Sequence, residues 1–119
     1  MKDEFVSFET AVLAKEKGFK ISCNKVYSYG ELRNKPSFNG YSINDFRDRF
    51  IYAPTQSLLQ KWIREKKNIH IDIYPNAMGW QVNLDKIDGT HIKVVEEYND
   101  RNTFEEALEQ GLKEALNLI

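Results

Sequence analysis

The side chains best suited to chemistry in this 119-residue chain are His70, His91 and Cys23, set among eighteen carboxylates. A metal site needs several His, Cys or carboxylate ligands at matched spacing. His70, His91 and Cys23 stand far apart, with no C-x-x-C or H-x-x-x-H pattern, so structural roles are expected for all three. A cysteine nucleophile needs a neighbouring base to hold it as thiolate. Nothing in the sequence brings Cys23 to either histidine, and a small buried cysteine is the expected outcome. The six glycines are isolated from one another, so no phosphate-cradling loop is present, and no G-x-S-x-G occurs. Of the acidic pairs, Glu105-Glu106 falls in a helix first turn, where negative charge offsets the helix dipole, and Glu96-Glu97 falls at a strand end. No catalytic, metal-binding or cofactor-binding residue is assigned on these grounds, and no cofactor is expected.

Two surfaces remain as weak interaction candidates. The first is basic and interleaved with aromatics: Arg47, Arg49, Tyr52, Lys61, Trp62, Arg64, Lys66 and Lys67. Lysine and arginine neutralise phosphates, and exposed rings stack on bases. Trp62, however, falls on an apolar helix stripe and is expected inside, and a pI of about 6.1 is not the usual footprint of a nucleic-acid binder. The second is a polar strand face with His70, Asp72, Tyr74, Gln81 and Asn83, expected to be a solvated sheet surface.

These residues sit in a chain of ordinary globular composition, 41% apolar and 29% charged. Its length suits a single domain over residues 1–119, able to bury a core without disulfides. One cysteine permits no internal disulfide, which suits a reducing compartment. Met1-Lys2-Asp3-Glu4 opens no apolar run of signal-peptide length, and no stretch approaches the roughly 20 apolar residues of a membrane span. A cytoplasmic protein without a membrane partner is expected. The net charge of -1 conceals a split. Residues 15–67 carry twelve Lys/Arg against five Asp/Glu, and residues 96–119 carry two against seven. Opposed solvated faces account for this, and head-to-tail contact between copies would exploit it.

The elements that must position these residues follow from periodicity. A first helix is expected over about 7–17, capped by Ser7, with Phe8, Ala11, Val12 and Leu13 as its apolar stripe and Gly18 at its end. Residues 20–52 are dense in Asn, Gly and Pro and read as a long irregular segment. One or two short strands are expected inside it, at Lys25-Tyr29 and Arg49-Tyr52, because a structureless loop of that length is improbable. A second helix is expected over about 54–67, starting at Pro54 or capped slightly later by Thr55 or Ser57. Leu58, Leu59, Trp62 and Ile63 form its buried face, and Asn68 its left-handed ending. Strict alternation then predicts an antiparallel three-stranded meander over about 69–74, 79–86 and 91–98, with Asp88-Gly89 as a tight turn. Thr103 and Glu106 form a capping box that opens a third helix over about 103–118. Its Leu108 and Leu112 are expected to pack on the meander, contributing about 2 kcal/mol each. The predicted class is α+β, a meander packed by helices.

Three runs carry a further likeness: Tyr52-Ala53-Pro54-Thr55 through Lys66 followed by Asn68-Ile69-His70-Ile71, Thr103-Phe104-Glu105-Glu106 through Leu116, and Phe8-Glu9-Thr10-Ala11 with Lys15-Glu16-Lys17-Gly18-Phe19. Together they resemble a family of small uncharacterised proteins from gut Bacteroides-type bacteria and their phages or mobile elements. The resemblance spans both ends and the middle and is weakest across residues 24–50. It implies a bacterial or phage origin and a single domain, and it transfers no functional residue.

The function expected first is a non-enzymatic accessory or protein-interaction domain, because caps, turns and packing account for most distinctive residues. A nucleic-acid-binding module using segment 47–67 comes second, and a small enzyme with a pocket invisible in sequence comes third. The expected partner is a protein, with nucleic acid weakly supported and self-association into a homo-oligomer left open.

Overall fold

Each described helix starts at a hydroxyl that caps a free amide. In the computed structural model, which describes residues 4–34, 50–77, 79–95 and 103–119, helix α1 (Phe8–Glu16) starts at Ser7, whose Oγ accepts the Thr10 amide at 3.3 Å. Helix α2 (Gln56–Lys67) starts at Thr55, whose Oγ1 accepts the Leu58 amide at 3.3 Å. Helix α3 (Phe104–Asn117) starts at Thr103, whose Oγ1 accepts the Glu106 amide at 3.1 Å. Pro54 therefore stands before the cap and not at the first helical position. Its carbonyl accepts the Val6 amide at 3.0 Å instead. α1 closes through Gly18, whose positive φ lets the Phe19 amide reach back to the Ala14 carbonyl at 3.0 Å. Asn68 takes the left-handed ending of α2.

The meander consists of β4 (Ile69–Asn76), β5 (Gly79–Lys86) and β6 (His91–Val94), paired antiparallel in sequence order. Its third strand ends earlier than expected, although the Val95 amide still donates to the Val82 carbonyl at 2.9 Å. The remainder of the expected strand, through residue 98, lies outside the described residues. Alternation does what the pattern requires. Ile69, Ile71, Val82 and Leu84 are buried on one face, while His70, Asp72, Tyr74, Gln81, Asn83 and Asp85 take the other. α2 also shields the outer edge of β4, where Gln60 Nε2 donates to the Ile71 carbonyl at 3.0 Å.

The segment expected to be largely irregular holds more order than its composition suggests. Strands β1 (Lys25–Ser28), β2 (Glu31–Asn34) and β3 (Phe50–Tyr52) form a second antiparallel sheet in the order β2-β1-β3. β1 and β3 match the two expected strands, and β2 was not expected. Its four residues are all exposed, so they carry no apolar alternation to betray a strand.

α3 lies on the buried face of the meander, with Leu108, Leu112, Ala115 and Leu116 in the core. The approach is closest at Gly111, where an added Cβ would stand 2.7 Å from Ile71 Cγ2 and 3.0 Å from Val82 Cγ1. α1 runs the same way as α3. Glu9 meets Lys113 at 3.3 Å, and Lys17 Nζ donates to the Ile119 carbonyl at 2.8 Å. The buried face of α1 is Thr10, Ala11 and Ala14; of the expected stripe Ala11 is buried and Leu13 packs partly against the core, while Thr10 and Ala14 were not expected there. Small side chains let α1 approach α3, and Phe8 is left 40% exposed. Phe104 is likewise half out of the core, edge-on to Trp80 with centroids 5.6 Å apart. Among the described residues no helix is long and apolar enough to cross a membrane.

Candidate functional site

The cations of α2 follow from helix geometry. Burying Leu59, Trp62 and Ile63 turns Lys61 and Lys66 to solvent and leaves Arg64 and Lys67 half-buried at the rim. Lys61, Arg64 and Lys66 have no ion-pair partner among the described residues. Trp62 is only 7% exposed and packs edge-on against Phe19, while Lys67 Nζ sits 5.5 Å from its ring centre. The ring is thus unavailable for stacking on a base. Arg47 and Arg49 lie outside the described residues, so four of the six proposed basic residues are placed.

On the open face of the meander, register assembles a row that spacing alone did not reveal. His70 is opposite Asp85, and Asp85 is opposite His91 across an irregularity at Leu84/Asp85. His91 Nδ1 and Asp85 Oδ1 are 2.8 Å apart, with the imidazole 53% exposed. The next row holds Asp72, Asn83 and Val94. Asn83 Nδ2 donates to the Tyr74 hydroxyl at 3.3 Å, and its Oδ1, shielded from solvent, meets no donor among the described residues. A histidine oriented by a carboxylate supplies two of the three members of a hydrolytic triad, but this row supplies no nucleophile. Among the described residues no three His, Cys, Asp or Glu side chains are arranged to hold a metal ion. Cys23, expected to be buried, is buried, and its Sγ contacts the Ile21 carbonyl at 3.3 Å.

Among the described residues the most connected polar group is Glu109, one of the seven carboxylates of residues 96–119. Its Oε2 accepts from the Ser7 amide at 3.1 Å, the Ser7 hydroxyl at 3.0 Å and the Thr10 hydroxyl. Its Oε1 accepts from Gln56 Nε2 at 3.1 Å, and that amide also donates to the Glu105 carbonyl at 2.9 Å. A carboxylate placed at the amino end of α1 meets the positive end of the helix dipole. Nearby, the Tyr27 hydroxyl donates to the Val6 carbonyl at 2.6 Å. Burial, and then the Glu109 charge, push the Tyr27 phenol above its ordinary range. Thr10 and Gln56 are buried, and the carboxylate's acceptor positions are occupied from three sides. This is a clamp between helices, not a base waiting for a substrate. A hint was present in sequence: Glu109 follows core residue Leu108 and precedes Leu112 by less than one turn.

Comparison with protein-family models, curated proteins and solved structures found no match.

The remaining feature is the β1–β2 hairpin. Its two-residue loop is Tyr29-Gly30, with φ of 53° and 81°. Two positive φ values make a type I′ turn, whose twist suits a hairpin and whose usual residues are Asn, Asp and Gly. A tyrosine in left-handed backbone costs about 1–2 kcal/mol, because its Cβ crowds the following carbonyl. Tyr29 is also 87% exposed, the most open large hydrophobic side chain among the described residues. Behind it, Leu32, Tyr27 and Ile51 form one row across the sheet. Leu32 is 42% exposed, and Phe8 packs edge-on against Tyr27 with centroids 5.5 Å apart.

Proposed function

We propose that this chain is a non-enzymatic protein-interaction domain, an accessory protein of a bacterium or phage, and that the tip of the β1–β2 hairpin is where it engages its partner. The observation that carries this reading is Tyr29. Folding alone would be better served by Asn or Gly in a type I′ turn. The phenol is instead presented to solvent at a backbone cost, and such strain is commonest at functional positions. Tyrosine is also among the residues that dominate binding energy at protein interfaces, since it brings a large apolar area with few rotatable bonds. The bacterial or phage setting rests on the resemblance of the helical and strand runs, and the reducing, cytoplasmic setting on the single cysteine.

Nucleic-acid binding through Lys61, Arg64 and Lys66 ranks second. These cations have no ion-pair partner among the described residues, but the ring among them faces the core. Small-enzyme chemistry ranks third, since the His91–Asp85 pair has no nucleophile beside it in its row.

Tyr29→Asn separates folding from binding. The variant relieves the turn strain, so its melting temperature is expected to rise, while recovery of the partner from the cells that make the protein is expected to fall to background. Equal recovery by both forms refutes the hairpin reading, and turnover of a substrate by the purified protein refutes the non-enzymatic one.

A further inference from the structure

β2 is an edge strand, with β1 on one side and no described strand on the other. Edges of this kind template pairing with another chain unless charge, proline or a covering element blocks them. The ladder determines which of its backbone groups point outward. A two-residue hairpin closes on a pair that exchanges both hydrogen bonds, here Ser28 with Glu31. Alternation then makes Tyr27–Leu32 a non-bonded pair and Val26–Arg33 a bonded one. The N–H and C=O of Leu32 therefore point away from β1, along the open edge.

The side chains around Leu32 are symmetric in charge. Glu31 precedes it and Arg33 follows it, and within one chain these two pair with each other while remaining largely exposed. We infer that a second copy of this chain pairs antiparallel along β2, about a two-fold axis through Leu32. In that register the two Leu32 residues exchange both backbone hydrogen bonds. Each Glu31 then stands opposite the Arg33 of the other copy, so the interface carries two complementary charge pairs. The two sheets join into one of six strands, and the rows Leu32–Tyr27–Ile51 of the two copies become continuous. Pairing centred on Glu31 or Arg33 would instead set like charges opposite each other. A contact this short falls among interfaces below about 1,200 Å², so the dimer is reversible and concentration-dependent. This goes beyond the hairpin-tip reading, since the tip can engage a partner whether or not the edge pairs.

Sedimentation velocity over a concentration series tests it with the full chain. The wild type is expected to pass from monomer to dimer. Glu31→Arg places arginine opposite arginine and is expected to weaken association roughly tenfold, because like charges directly opposite destabilise a strand pair. The double variant Glu31→Arg with Arg33→Glu restores opposite charges and is expected to restore the dimer. Mixing the Glu31→Arg chain with an Arg33→Glu chain is expected to give a heterodimer tighter than either self-association. A wild type that stays monomeric throughout overturns the inference. So does association indifferent to these charges, or a double variant that fails to recover.

Discussion

The two sheets of this molecule have the same number of described strands and opposite relations to the core. The β4–β5–β6 meander buries one face under α3 and α2, so the core residues on that face are constrained by volume. The β2–β1–β3 sheet is anchored through β1 and β3, and it ends in a strand whose four residues are all exposed. Burial makes the first sheet legible and intolerant of change, while exposure leaves the second free to carry an aromatic tip and an open edge. A strand can thus be specified by its turn and its neighbours when no core specifies it.

Truncation should divide the two regions most sharply. Leu112→Ala leaves a cavity between α3 and the meander and is expected to cost about 2–5 kcal/mol in urea unfolding. A loss under about 1 kcal/mol would show that the face repacks freely. Gly111→Ala is expected to cost about 1–3 kcal/mol, because its Cβ must displace Ile71 and Val82 from a packed interior. A neutral result would mean that α3 can lift from the sheet without penalty.

The smallest effect lies at the Tyr27 hydroxyl on the Val6 carbonyl, which ties β1 to the segment before α1. The phenol's folded value is raised above its ordinary 10.0, by burial first and Glu109 second. The folded state therefore holds that proton more tightly than the unfolded chain. Tyr27 contributes stability that is present in full below about pH 10 and is lost as pH rises through the raised value. Tyr27→Phe is expected to be less stable at neutral pH and to lose less stability on going from about pH 9 to about pH 11. Parallel pH profiles for the two proteins would show that the fold holds the phenol's proton no more tightly than the unfolded chain does.

Legibility in the sequence tracked burial. Ile69, Ile71 and Ile73 alternate because one face of β4 meets the core, and Ser7, Thr55 and Thr103 announce helix starts because free amides need acceptors. Glu31-Leu32-Arg33-Asn34 was not legible, since a strand exposed on both faces has no periodic constraint. The stripe of α1 was legible only in part: Ala11 and Leu13 meet the core, but Thr10 and Ala14 face inward and Phe8 does not, because close approach to α3 outweighs hydrophobicity. The Glu109 clamp joins residues 102, 99 and 53 positions apart, a span over which no local pattern operates. The His70–Asp85–His91 row likewise depends on strand register and on an irregularity at Leu84/Asp85.

By itself, the sequence determined the α+β class, the caps of α1 and α3, the meander and the inward turn of Trp62. These follow from local hydrogen-bond needs and the periods of helix and strand, which act over a few residues. Tertiary structure decided the second sheet, the Glu109 clamp, the histidine row and the exposure of Tyr29. Each of these depends on which distant surfaces meet, and that is set by the packing of the whole chain.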